Sequence, residues 1–292
     1  MNFLALNTRP DIAYAVHQCA KYSSCPKQSH GGAIKRIGRY LRKTSTKGLI
    51  LRPDGSHQLN AYVDADFAGN WNHNYSHLRS SQLSRAGCVI TYSGCPIHWF
   101  SKLETEIALS TCEAEYIALS MCCRQLIPIR RTLEDLYSIF KIPFDSTHTE
   151  LINQLGSSVV LEDNSAALAL ATDGDKYRPQ TKHLSLKWHH FRDQITDGWL
   201  QIKKINTKVN WADIFTKPLP KPHFEFLRDA MMGWKTSEEL HEYLHTQHLD
   251  EDLPLYPSHA VAAYAILPTN SKQRYNKRKR ARTHKRTKSK RA

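Results

Sequence analysis

The sequence predicts an α/β protein, a sheet carrying helices on its faces. Three observations predict it. Strand-like patterns are concentrated in residues 58–101, one long helical pattern follows, and short apolar strands then alternate with helical stretches. A hairpin early in the chain joins antiparallel neighbours, whereas the later strand–helix–strand order needs crossovers. That mixture belongs to an α/β sheet with helices on both sides.

The elements follow in order. Pro10 comes just before Ile12, Ala13, Val16 and Ala20, which recur at helical spacing. A second helix fits residues 31–43, with Ile34, Ile37, Tyr40 and Leu41 on one side and Lys35, Arg36, Arg39, Arg42 and Lys43 on the other. Gly48 and the Pro53–Asp54–Gly55 turn close this first segment. Leu59, Ala61 and Val63 then alternate with Asn60, Tyr62 and Asp64 as a strand. A polar loop from Asn70 to Arg85 leads to strands at Ala86–Tyr92 and Ile97–Phe100, joined by a Ser93–Gly94 turn. The long helix carries Leu109, Cys112, Tyr116, Leu119, Cys123, Leu126, Leu133 and Tyr137, and Pro128 is expected to kink or divide it. Val159–Val160–Leu161 forms the fourth strand and ends at Asp163, where Asn164 or Ser165 can cap the next helix. A helix over 184–197 stops at Gly198, Trp199–Ile205 is the fifth strand, and Asn210 caps a short helix that Pro218 ends.

Bulk composition narrows the function classes. The chain has 292 residues, a net charge of +14 and 40% hydrophobic residues, so a globular core with a basic surface is expected. Nucleic acid is the commonest partner of such a chain. No apolar run reaches the ~18–20 residues of a spanning helix. Arg9 and Asp11 interrupt the N-terminus too early for a signal peptide, so an intracellular, cytoplasmic protein without a membrane partner is expected. Seven cysteines without a CxxC pair read as reduced thiols. His17, Cys19, Cys25 and His30 match no zinc-finger spacing.

Four acids stand where chemistry can use them: Asp64 in the first strand, Glu115 on the long helix, Asp163 at the end of the fourth strand and Asp213 at the start of the last short helix. Two carboxylates ~4 Å apart repel by ~4 kcal/mol at an effective dielectric of 20, so a gathered set needs protons or cations. All-oxygen ligation suits Mg²⁺ or Mn²⁺. Each acid also has an ordinary structural role open to it. Asp213 suits a helix N-terminus, Asp163–Asn164 a turn and cap, Asp64 with Asp66 a loop border, and Glu115 a solvated helix face. Spacing alone does not bring the four together.

The motifs resemble those of a known family. Tyr62–Val63–Asp64–Ala65–Asp66–Phe67–Ala68–Gly69 resembles the opening strand of copia-type retrotransposon ribonuclease H domains, and Ser110–Thr111–Cys112–Glu113–Ala114–Glu115–Tyr116–Ile117–Ala118–Leu119 their catalytic helix. Leu161–Glu162–Asp163–Asn164–Ser165–Ala166, Thr181–Lys182–His183 and Ala212–Asp213–Ile214–Phe215–Thr216–Lys217 are similar to their later motifs. The five fall in family order within residues 57–233. Residues 1–52 resemble the helical end of a copia-type reverse transcriptase at Thr8–Arg9–Pro10–Asp11–Ile12 and Arg39–Tyr40–Leu41–Arg42–Lys43–Thr44. The polymerase's Asp–Asp motif is absent, so no polymerase activity is expected from this chain by itself. Two departures stand out. Leu78–Arg79–Ser80–Ser81–Gln82 replaces an acidic–Arg–Lys–Ser–Thr pattern, and residues 206–212 lack the histidine that many ribonucleases H keep there.

The resemblance implies a ribonuclease H-like fold, a five-stranded mixed sheet with three antiparallel strands first. It implies a site of Asp64, Glu115, Asp163 and Asp213 that binds two Mg²⁺ (or Mn²⁺) ions and cleaves the RNA strand of RNA–DNA hybrids. The family places the ligand just before the aromatic residue, which favours Glu115 over Glu113. Lys182, His183, Asn164 and Ser165 are the candidate substrate contacts. The rest of a retrotransposon polyprotein is an implied partner. Residues 234–292 read as a basic, largely disordered tail that adds nucleic-acid contacts, and its Lys277–Arg280 cluster looks like a nuclear-entry signal. Two other readings share these residues: a non-catalytic nucleic-acid-binding remnant, and an integrase-like DNA strand transferase using a three-acid set.

Overall fold

A computed structural model gives the architecture and describes residues 1–77, 79–140, 155–172, 190–236, 238–240 and 242. Strands β1 (Leu59–Asp66), β2 (Arg85–Tyr92), β3 (Cys95–Leu103), β4 (Ser158–Glu162) and β5 (Leu200–Lys204) form one sheet in the order β3-β2-β1-β4-β5. β1 pairs antiparallel with β2, and β2 with β3. β1 pairs parallel with β4, and β4 with β5. This is the ribonuclease H-like α/β arrangement that the resemblance implies. Ser93 and Gly94, with φ of 47° and 74°, make the two-residue β2–β3 turn. Positive φ at both positions matches the twist of the flanking strands.

Helices α1 (Asn2–Asn7), α2 (Ala13–Ala20) and α3 (Gln28–Lys43) precede the sheet, and α4 (Arg79–Gln82) is a single turn in the β1–β2 loop. Helix α5 (Thr111–Phe140) leads from β3 towards β4, while α6 (Ser165–Thr172) and α7 (Arg192–Thr196) lie between β4 and β5. Helices α8 (Asp213–Thr216) and α9 (Lys221–Met231) follow β5. Of the kink or division expected at Pro128, the division is corrected, because α5 is one continuous helix with Pro128 inside it. Proline removes one backbone hydrogen bond. The buried run from Ala114 to Leu126 packs on the sheet and outweighs that loss. Of the helix expected over 184–197, residues 184–189 lie outside the described residues, and α7 is the part seen.

Alternation along β1 serves two cores rather than a core and solvent. Leu59, Ala61 and Val63 pack with Cys88, Ile90 and Phe100 beneath Ala118, Leu119, Cys122 and Leu126 of α5. Tyr62 faces the other way, joining Val89, Trp99, Leu161, Trp211 and Phe215. This second face is covered by α8, α9 and the N-terminal helices, through Ala5, Ile12, Val16 and Ile37. Trp99 donates its indole N–H to the Ala5 carbonyl at 2.7 Å. Arg85, fully buried on β2, donates to Ser101 Oγ at 3.0 Å and lies 3.0 Å from His17 Nδ1 of α2. Burial, then the Arg85 charge, pushes His17 down to about 4, so a neutral imidazole accepts from Arg85 at neutral pH.

Candidate active site

The site sits where β1 and β4 end side by side. The parallel register runs Asn60–Val159, Ala61–Val160, Tyr62–Leu161. Continued along the strands, it sets Asp64 level with Asp163. Helix α5 adds Glu115 from above the sheet. One carboxylate oxygen from each of Asp64, Glu115 and Asp163 lies within 4.8 Å of the others. Asp64 and Glu115 are buried and Asp163 is half-buried. Three acids from three elements therefore meet at one point.

Asp213 stands apart from that trio and reaches it through Lys217. The Lys217 ammonium lies 3.0 Å from Asp213 Oδ1 and 3.3 Å from Asp64 Oδ2. Thr216 donates its hydroxyl to Asp64 Oδ2. Helix α8 comes this close because β2 carries glycine opposite Asp64. A Cβ at Gly87 would lie 2.7 Å from Thr216 Cγ2 and 2.8 Å from Phe215 Cβ. Asn210, fully buried, anchors the start of α8 by accepting from Ala212 N–H and donating to the Val63 carbonyl.

The electrostatics follow from crowding. Burial raises the Asp64 pKa, with Lys217 and Thr216 opposing. Burial lifts Glu115 well above the ordinary range, helped by Glu162 and Asp64. Asp213 is pushed up to about 8 by burial and then by Asp64, against the pull of Lys217. Burial alone would lower Lys217, but Asp64 and Asp213 outweigh it and hold it above the ordinary lysine range. Glu115 Oε2 is buried without a hydrogen-bond partner. The pocket holds more carboxyl groups than its own cations can balance in ionised form.

Sequence reasoning did not single out two residues here. Glu162 is fully buried, accepts from Asn164 N–H at 2.9 Å and leaves Oε2 unpartnered. The adjacent acids Glu162–Asp163 at the end of an apolar strand were the available signal. Lys217 lay inside a quoted motif, but nothing local showed that it turns back onto Asp64.

The remaining candidates divide. Asn164 is the cap of α6, its Oδ1 accepting from Ala166 and Ala167 N–H at 2.9 and 3.1 Å. Ser165 is exposed, and its hydroxyl accepts from Lys204 Nζ at 2.7 Å. Lys182 and His183 lie outside the described residues. Glu113 serves the helix start, accepting from Leu109 N–H at 2.8 Å, while its own N–H donates to Ser110 Oγ. Glu115, one turn-face away, is the glutamate beside Asp64. The seven cysteines are free thiols, and among the described residues no helix is long and apolar enough to cross a membrane.

No protein-family model matches the chain. Over 225 residues it is 35% identical to the retrovirus-related Pol polyprotein of transposon TNT 1-94 from Nicotiana tabacum, which is 77% of this chain and 15% of that protein. Over 225 residues it is 29% identical to the corresponding polyprotein of transposon RE2 from Arabidopsis thaliana, again 77% of this chain and 14% of that one. The chain thus spans about one-seventh of the length of these relatives. A solved structure of LC11-RNase H1 in complex with RNA/DNA hybrid aligns with 54% of this chain and 93% of its own, at 20% identity and a TM-score of 0.31. At that score the fold assignment rests on strand order and pairing. Over the matched residues, the chain is a homologue of retrovirus-related Pol polyproteins from plant transposons, which fits a copia-type polyprotein with a ribonuclease H domain.

Proposed function

We propose that the chain is a ribonuclease H: an endonuclease that cuts the RNA strand of RNA–DNA hybrids during transposon replication. One observation carries the reading, the meeting of Asp64 and Asp163 at the ends of adjacent strands with Glu115 of α5, and Asp213 linked to Asp64 through Lys217. The choice of hybrid as substrate follows from the five ordered motifs.

The residues fit hard divalent cations. Every donor is a carboxylate oxygen, Glu115 Oε2 is buried and unpartnered, and burial lifts the acids towards protonation in the absence of a cation. Asp64, Glu115, Asp163 and Asp213 would hold Mg²⁺ or Mn²⁺, two ions in the full site. Such ions supply a water of lowered pKa and charge neutralisation at the phosphate.

The chain's own groups do the positioning. Thr216 fixes the Asp64 carboxylate by its hydroxyl. Gly87 lets α8 lie against the sheet, which sets the approach of Asp213 to Asp64. The buried run around Glu115 closes one side to water. Ser165 and Lys204 lie at the rim beside Asp163 and are placed to meet substrate phosphates. Lys182, His183 and the basic tail are further proposed nucleic-acid contacts. Hydrolysis by in-line attack of water on the RNA phosphate leaves a 5′-phosphate on one product, and the departing 3′-oxygen takes a proton to become a hydroxyl on the other.

The test is cleavage of a labelled RNA–DNA hybrid by wild type and Asp163→Asn with Mg²⁺ titrated. The reading predicts metal-dependent cutting of the RNA strand that the substitution abolishes. Binding without cutting would support the non-catalytic remnant, and joining of duplex DNA ends would support the strand transferase.

A further inference from the structure

We infer that Lys217 is a built-in counter-ion that occupies the Asp64–Asp213 half of the site and competes with a divalent cation for it. The inference rests on the metal-binding reading above and adds a residue to it. The acid cluster has two halves that share Asp64. In one, Glu115 and Asp163 meet Asp64, and neither of these two has a cationic side chain in ion-pair contact among the described residues. In the other, the Lys217 ammonium stands between Asp64 and Asp213, 3.3 Å from both oxygens of the first and 3.0 Å from Oδ1 of the second. The first half is prepared for a cation, whereas the second already contains one.

The geometry makes this ammonium replaceable. Its contact with Asp213 Oδ1 is an ion pair at 3.0 Å. The Lys217 side chain is 32% exposed, whereas the carboxylates it touches are 2% exposed. A long, half-exposed stem can move outward without opening the core, but the acids cannot. Lys217 also follows directly after α8, whose last residue, Thr216, holds Asp64. The same short helix therefore delivers an acid, a hydroxyl and the compensating charge. Without the ammonium, Asp64 and Asp213 would be two buried carboxyl groups with no partner cation.

Two consequences follow. Cation binding is unequal, tight at Asp64–Glu115–Asp163 and weaker where Lys217 must be displaced. The metal-free fold depends on Lys217, and the metal-loaded fold does not.

The experiment is calorimetric titration of the full chain with MnCl₂ at fixed ionic strength, paired with thermal melts in EDTA and in Mn²⁺. Wild type, Lys217→Met and Lys217→Arg are compared. Lys217→Met is expected to tighten the weaker binding step about tenfold or more, the scale of one contact to a charged group, and to lower the melting temperature in EDTA but not in Mn²⁺. Lys217→Arg keeps the charge and should behave as wild type. If Lys217→Met does not fold in EDTA, the double variant Lys217→Met/Asp213→Asn removes both charges together and should fold there while losing the weaker step. Unchanged Mn²⁺ binding in Lys217→Met overturns the inference and leaves the metal site standing. So does Lys217→Arg behaving like Lys217→Met. Absence of Mn²⁺ binding in every protein would instead remove the metal-binding reading, and this inference with it.

Discussion

At the N-terminal helices, a buried charge has every partner it needs. Arg9 donates Nε and Nη2 to the two oxygens of Asp11 at 2.9 and 2.8 Å, and Nη2 also reaches Thr44 Oγ1 at 2.8 Å. Tyr40 adds its hydroxyl to Asp11. Across the sheet, Asp64, Glu115, Glu162 and Asp213 are equally buried, and Lys217 is the cation paired with them among the described residues. Both clusters are made of ordinary charged residues in a low-dielectric interior. The first is matched charge for charge and ties α3 to the segment before α2. The second is left short of positive charge. A matched buried cluster specifies structure, and an unmatched one calls for a ligand.

Substitutions can break this contrast, and the largest effect falls on chemistry. Asp64→Asn is expected to lower hybrid cleavage by about 10²–10³-fold or more, because the acid shared by both halves of the site is lost. Single-turnover rates on a labelled hybrid check it, and a circular dichroism spectrum like that of wild type separates it from misfolding. Next comes stability. Asp11→Ala strands the Arg9 guanidinium and should cost about 3–5 kcal/mol by urea unfolding, with cleavage per folded molecule retained. A loss near zero would put the Arg9 cluster in the same class as a surface pair.

Smaller effects sharpen the comparison. Gly87→Ala forces a methyl group against Thr216 and Phe215. It should destabilise by about 1–3 kcal/mol and weaken Mn²⁺ binding, since α8 must move away from Asp64. Equal Mn²⁺ affinity in wild type and variant would show that α8 does not set the site. The mildest probe is pH. The folded pKa of Asp213 is raised to about 8 by burial and by Asp64, so the folded state keeps a proton that the unfolded chain has released. Stability in EDTA should therefore fall as pH rises from the ordinary aspartate range to about 8, and Mg²⁺ should flatten that slope. Melting temperatures across this range, with and without Mg²⁺, measure it. His17, depressed to about 4, acts in the opposite direction, removing stability as pH falls below the ordinary histidine range.

Much of the fold was legible because its signals are local. Alternation at Leu59–Asp64, positive-φ residues at Ser93–Gly94 and the apolar stripe around Tyr116 and Leu119 each depend on neighbours in sequence. Pro128 shows the limit of a local rule, because packing along α5 outweighs one missing hydrogen bond. The acids were legible as residues but not as a site. Nothing near Asp64 in the chain shows that Glu115 arrives from a helix and Asp163 from a neighbouring strand. Glu162, Lys217 and Gly87 were not legible in their roles at all. Each acquires its meaning from a residue far away in sequence, Glu115, Asp64 and Thr216 respectively. Asn164 had two readings in the sequence, as cap and as substrate contact, and the structure uses its side chain as the cap of α6.

The most direct test is the stability of Glu115→Gln against wild type, by thermal melts in EDTA and in Mg²⁺. The substitution keeps the shape of the side chain and removes one acid from the crowded pocket. A site short of positive charge predicts a crossing: the variant is more stable than wild type in EDTA and less stable in Mg²⁺. A variant less stable than wild type under both conditions would mean that Glu115 is already satisfied within the fold, and would contradict a pocket built to hold cations.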